Sequence, residues 1–224
     1  MDCSGEERGY KRPLSRGELL KRATVLGAAA AVPAAVATEP ALAEEELAQL
    51  QQLKALSPSE SATISAVCDR LIPSDATGPG AREANVVRYI DRSLAGDLAP
   101  FRGAYTAAVV ALDAYSQSKY GAGFAALSTA QQDAVLTDMD LNRATGFAPN
   151  AKAVFEMIRT HAVQGMFGDP AHGGNTNFVG WKLVRFPGPR LVISAKDQQL
   201  DVVPRQNLRS TYSLPLFRVR TRRD

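Results

Sequence analysis

Residues 57–73, SPSESATISAVCDRLIP from Ser57 to Pro73, hold one complete helix together with its start and stop signals. Ser57 stands at the cap, Pro58 at the first helical position and Glu60 three residues after the cap. That spacing makes a capping box, in which each side chain satisfies a backbone N–H that the first helical turn leaves open. Ile64, Val67, Cys68, Leu71 and Ile72 recur at three- and four-residue steps, so one face is apolar. Ile72-Pro73 stops the helix, because a residue before proline avoids helical dihedrals. Ser74 to Gly80 (SDATGPG) is then a turn, with Asp75 placed to organise it.

The same punctuation recurs downstream. Val86, Val87, Ile90 and Leu94 predict a helix from about Ala81 to Ala95, ended by Gly96-Asp97. The longest helix runs from Pro100 to Tyr120 on a stripe of Phe101, Tyr105, Ala108, Val109, Leu112 and Tyr115, with Gly121 closing it. Ser128 and Gln131 form a second capping box, opening a short helix through Val135, Leu136 and Met139. Asn150 caps another through Val154, Phe155, Met157, Ile158, His161 and Met166. No alternating pattern of strand length precedes residue 190, and Leu191-Val192-Ile193 reads either as a short strand or as extended chain. The expected fold is all-α: a single domain of about five helices, with a long irregular Gly/aromatic loop and an extended C-terminal arm.

The chain's 224 residues suffice for one domain with a substantial core and an N-terminal extension. Its 45% hydrophobic and 22% charged residues fit a globular protein. The net charge of +3 is unevenly spread. Residues 205–224 hold Arg205, Arg209, Arg218, Arg220, Arg222 and Arg223 against Asp224 alone. A basic end of this kind suits an acidic protein surface or a lipid headgroup. No aromatic-interleaved basic groove accompanies it, so nucleic acid is not the expected partner.

The N-terminus reads as an export signal. Lys11, Arg12, Arg16, Lys21 and Arg22 form a positive region, Ala23 to Ala37 a weakly apolar stretch, and Ala41-Leu42-Ala43 a small-x-small cleavage site at Ala43. The apolar stretch is too short for a comfortable membrane span. Ser15-Arg16-Gly17-Glu18-Leu19-Leu20-Lys21 is similar to a twin-arginine motif with Gly17 in place of the second arginine. The other reading of this stretch is an ordinary Ala-rich helix, which Pro33 would interrupt. Domains follow as 1–43 signal, 44–189 helical domain and 190–224 basic arm. Cleavage removes Cys3 and leaves Cys68, which lies on an apolar face and reads as a buried thiol rather than an intersubunit disulfide.

Residues 165–189, GMFGDPAHGGNTNFVGWKLVRFPGP, concentrate glycine, three prolines, three phenylalanines and the only tryptophan. Glycine at that density signals unusual dihedrals or close backbone approach, and the aromatics supply something large to bury. Gly165-Met166-Phe167-Gly168-Asp169-Pro170, Gly173-Gly174-Asn175, Gly180-Trp181-Lys182-Leu183 and Phe186-Pro187-Gly188 resemble the signature of the gluconate 2-dehydrogenase subunit 3 family. The resemblance continues in Asp69-Arg70-Leu71-Ile72-Pro73, Gly78-Pro79-Gly80-Ala81 and Leu127-Ser128 before Gln131, covering roughly residues 57–193. It implies a small accessory subunit of a membrane-associated, flavin-dependent sugar or polyol dehydrogenase. The implied partners are a large glucose–methanol–choline-type flavoprotein carrying FAD and, commonly, a multihaem cytochrome c. It also implies a periplasmic location, peripheral to the inner membrane through the complex alone.

The residues themselves offer little for catalysis. His161, Asp169 and His172 are the candidate metal ligands of a hydrolase reading, but His161 sits on an apolar helix face. Asp69 and Arg70 are adjacent, so on a helix they point about 100° apart and do not pair. No dinucleotide fingerprint, C-x-x-C-H haem attachment or G-x-S-x-G elbow occurs. The expectation is therefore no catalytic, cofactor or metal residue in this chain. Met166, Phe167, Gly168, Asp169, Pro170, Gly173, Gly174, Asn175, Trp181, Phe186 and Pro187 are read as a partner-docking surface. The competing reading folds the same aromatics inward to cap the helices, and Trp181 leans that way. The arm beyond Arg190, with Leu191, Val202, Val203, Leu208, Leu214, Leu216 and Phe217 in no helical period, is expected to wrap along a partner and to be largely mobile without it. The alternative to an accessory subunit is a free periplasmic module that holds a small sugar.

Overall fold

The computed structural model describes residues 53–217. The expected signal, its Ala43 cleavage point, Cys3 and the last four arginines lie outside the described residues. Six α-helices fold within them: α1 (Pro58–Leu71), α2 (Val86–Leu94), α3 (Arg102–Tyr120), α4 (Thr129–Asp140), α5 (Ala151–Phe167) and α6 (Val179–Leu183). Among the described residues there is no strand, only an isolated bridge between Asp75 and Gly78. Leu191–Ile193 forms no strand: Leu191 lies in a bend and Val192 and Ile193 in irregular chain.

Three of the helices start where a side-chain cap stands. Ser57 Oγ accepts from the Glu60 amide at 3.2 Å, and Glu60 accepts from the Ser57 amide at 2.8 Å. Ser128 and Gln131 repeat the exchange at α4, and Asn150 Oδ1 caps α5 through the Ala153 amide at 2.9 Å. Gly121 ends α3 in the left-handed region at φ +79°. One boundary differs from expectation. The second helix begins at Val86 rather than near Ala81, because Asn85 takes a left-handed φ of +56° and residues 81–85 are turns.

The core joins all the longer helices. Ile64, Val67 and Cys68 of α1 meet Val86, Ile90 and Leu94 of α2, with Tyr105 and Leu112 of α3, Val135 and Met139 of α4, and Ile158, Ala162 and Met166 of α5. Burial pushes the Cys68 thiol up, so it stays protonated. Asp69 and Arg70 diverge, as their spacing requires: Asp69 pairs with Arg82 at 2.8 Å, and Arg70 forks onto Asp133 at 2.7 and 2.9 Å.

Three carboxylates tie the elements of the body together. Asp91 is buried and accepts the amides of Lys54, Ala55 and Leu56 at 2.8–3.1 Å, pinning the approach to α1. Glu60 receives Arg102 at 2.7 and 3.0 Å and Thr106 at 2.9 Å. Burial raises its carboxyl, but Arg102, the Ser57 amide and Thr106 outweigh that and hold it at about 2. Asp138 likewise gathers Lys119, Arg143 and Tyr115, tying α3 to α4.

Candidate functional site

The glycine-aromatic segment starts where α5 runs out. Gly165 lies against α2, and a Cβ there would sit 3.1 Å from Val86 and Tyr89. The chain then turns back across the end of α5, and its glycines mark the crossings. A Cβ on Gly174 would fall 2.2 Å from the Gly165 carbonyl oxygen, and one on Gly180 would fall 2.0 Å from that of Met166. Both distances are far inside contact with backbone, which has no room to move.

Asn175 ties the crossing. It is fully buried with φ +45°, a conformation asparagine tolerates better than other non-glycine residues. Its amide donates to Gly165 O at 2.8 Å, its Nδ2 donates to Gly168 O at 2.8 Å, and its Oδ1 accepts the Gly180 amide at 2.9 Å. Thr176 donates to Ala84 O at 3.1 Å, anchoring the crossing to the turn before α2. Trp181 is buried, donates from Nε1 to Phe167 O at 2.7 Å, and packs between Phe178 and Phe186 at ring separations of 5.4 and 4.8 Å.

The segment is thus a knot closed on its own backbone. Of the residues read from sequence as a docking surface, Met166, Gly173, Gly174, Asn175 and Trp181 are buried in the chain's own fold. Among the aromatics, Trp181 is turned inward. Phe167, Gly168, Asp169, Pro170 and Pro187 are half-buried, and Phe186 is exposed.

The three candidate metal ligands go to different tasks. His161 is buried in the core, with Nδ1 3.0 Å from the Tyr105 hydroxyl, its ring stacked on Tyr105 and edge-on to Phe101. Burial lowers its pKa, favouring the neutral ring. His172 is exposed and packs edge-on against Tyr212 at 5.6 Å. Asp169 accepts the Ala171 amide at 3.0 Å and the Thr211 amide at 2.7 Å. Burial raises its carboxyl, but those amides together with Ser210 and Thr211 side chains bring it below the usual range. Among the described residues, no three His, Cys, Asp or Glu side chains gather closely enough to hold a metal ion.

The arm leaves the knot and returns to it, so it is better anchored than its sequence suggests. Asn207 donates to Pro187 O at 2.9 Å, and Gln206 Nε2 donates to Trp181 O and Phe186 O at 3.2 and 3.1 Å. Gly188 permits this closure at φ +89°, since a Cβ there would meet Asn207 O at 2.1 Å. Inside the loop Arg190 bridges Asp197 at 3.0 Å and donates to Arg205 O, while Ser194 caps a 3₁₀ turn at Ala195–Gln198. Beyond it, Thr211 reaches Asp169 and Leu214 is buried. The loop between nevertheless turns apolar side chains outward: Val192 is 83% exposed, Val203 78% and Leu200 fully.

Sequence reasoning missed Asn175 as the organiser and Leu214 as an anchor. An asparagine among glycines was the available sign of the first, because both residues suit left-handed backbone. Leu214 carried no sign, since its burial depends on where the arm returns. Among the described residues, no helix is long and apolar enough to cross a membrane.

Comparison with curated proteins and with solved structures gives no significant match. A family model described as gluconate 2-dehydrogenase subunit 3 matches residues 58–188, more than half of the chain. That span opens at the first residue of α1 and closes at Gly188, where the knot ends and the loop departs. From the capped first helix to the last glycine of the knot, the chain belongs to the gluconate 2-dehydrogenase subunit 3 family.

Proposed function

We propose that this chain is the non-catalytic small subunit of a periplasmic, flavin-dependent dehydrogenase of the glucose–methanol–choline type. Its partner oxidises an alcohol carbon of gluconate or a related sugar or polyol. In this reading the small subunit supports folding and assembly of the catalytic subunit and lends it an export signal. The observation that carries it is the family match across the knot, combined with an arm that shows apolar side chains to solvent beside it. Large exposed apolar patches on a small protein mark interaction sites.

The described residues do not fit a dinucleotide. Glycine-rich turns bind phosphates by presenting free amides at a strand-to-helix junction. Here Gly174 and Gly180 press on carbonyls of α5, and the Asn175 and Gly180 amides are already donating. In this reading the flavin lies on the large subunit and haem c on a cytochrome subunit. The residues with catalytic character are also engaged, His161 by Tyr105 and Asp169 by two amides.

The test is isolation of the C-terminally tagged chain from periplasm, with flavin absorbance and partner masses recorded. The expected result is a yellow complex with a roughly stoichiometric large flavoprotein. A colourless, stable monomer that binds sugar by calorimetry would replace this reading with the free sugar-binding module.

A further inference from the structure

We infer that residues 188–206 form the docking element for the catalytic subunit, seating in an apolar cleft with an acidic rim on that protein. The inference rests on the accessory-subunit reading and names the surface that would serve it. The loop's two ends are pinned together by the Asn207–Pro187 and Gln206–Trp181 hydrogen bonds. Its interior is stiffened by the Arg190–Asp197 ion pair and the Ser194 cap. A loop so closed would ordinarily bury its apolar residues, yet Leu191, Val192, Ile193, Leu200 and Val203 all face solvent. Held in shape without covering its own hydrophobic surface, it is preorganised to bind.

Charge says what kind of surface covers it. Residues 53–181 hold ten Lys and Arg against twelve Asp and Glu, whereas residues 182–224 hold ten against three. Among the described residues, Lys182, Arg185, Lys196, Arg205 and Arg209 form no ion pair. Exposed apolar side chains on a segment that also carries the unpaired Lys196 and Arg205 complement an apolar cleft with carboxylates at its edge. A lipid surface fits less well, because seating Leu200 and Val203 among acyl chains would take the intervening Asp201, which has no ion pair among the described residues, out of water. The family match ends at Gly188, so this loop lies beyond the part of the chain that the family model covers.

The experiment compares three full-length tagged chains in the periplasmic isolation described above: wild type, the double variant V192D/L200D, and V110D. Val110 is 65% exposed on α3 and serves as a control for an apolar-to-acid change outside the loop. Flavin recovered with the chain should fall about tenfold or more for V192D/L200D and stay within about twofold for V110D. Thermal unfolding of each isolated chain checks that the fold is kept. Full flavin recovery by V192D/L200D would overturn the docking assignment while leaving the accessory-subunit reading intact. No flavoprotein with the wild-type chain would overturn both. Flotation with vesicles of phosphatidylglycerol and phosphatidylethanolamine is run alongside. Binding by the wild-type chain that V192D/L200D abolishes, with flavin recovery unchanged, would assign the loop to lipid instead.

Discussion

Residues 165–187 and 188–207 are neighbours in sequence, both irregular, both marked by glycine and proline and both carrying large apolar side chains. The first buries Met166 and Trp181 while leaving Leu183, Val184 and Phe186 exposed, and the second exposes Leu191, Val192, Ile193, Leu200 and Val203. In the first, Asn175 and Trp181 satisfy backbone carbonyls of α5, and two glycines let the backbones touch. In the second, the polar contacts pin the ends and brace the interior through Arg190, Asp197 and Ser194, leaving Val192, Leu200 and Val203 without cover. Composition separates the two in part: residues 165–187 hold five glycines and four Phe or Trp, residues 188–207 one glycine and no aromatic residue. What composition does not show is that the first segment recrosses a helix end that offers open carbonyls.

The contrast can be broken most directly inside the knot. Gly180→Ala forces a methyl against Met166 O, and should destabilise the chain by about 3 kcal/mol or more in urea unfolding. A cost below about 1 kcal/mol would show that the crossing is loose. Asn175→Ala strands a buried amide and a carbonyl and places alanine at positive φ, for an expected loss of about 2–3 kcal/mol.

Acid probes the body through Glu60 and His161, and reaches the loop as well through Asp197, whose carboxyl Ser194 and Arg190 hold below the usual range. The folded-state pKa of Glu60, about 2, lies below its ordinary 4.5. Its contribution is therefore complete above pH 4.5 and is lost as pH falls from there toward 2, up to about 3 kcal/mol. His161 adds to the loss in a higher window. Its folded pKa is depressed, so its contribution is full above the ordinary 6.5 and declines as pH falls through that value. Glu60→Gln should flatten the acid limb of a stability-versus-pH curve, and an unchanged limb would remove Glu60 from the account. The smallest effect belongs to the loop, where V192D/L200D should change unfolding free energy by no more than about 0.5 kcal/mol per site. A larger loss would mean that these side chains support the fold after all.

The helical body was legible because its signals are local. Ser57, Ser128 and Asn150 cap within three residues of themselves, and the stripes of α1, α3 and α5 need only a 3.6-residue period. The late start of α2 was not legible, since Val86, Val87, Ile90 and Leu94 fit a helix whether or not Asn85 breaks into it. The knot's importance could be read from glycine density, but its direction could not. Whether Trp181 points in or out depends on Phe167 O, which lies a helix end and a loop away in sequence. The arm's anchors at Asp169 and Leu214 are equally non-local.

Hydrogen exchange on the chain alone and in its complex with the flavoprotein tests the central claim most directly. The account predicts that residues 165–181 are already protected in the free chain and gain little. Residues 188–206 should exchange faster when free and gain strong protection in the complex. Protection that instead appears on the knot or on the α1–α4 face, with the loop unchanged, would contradict it.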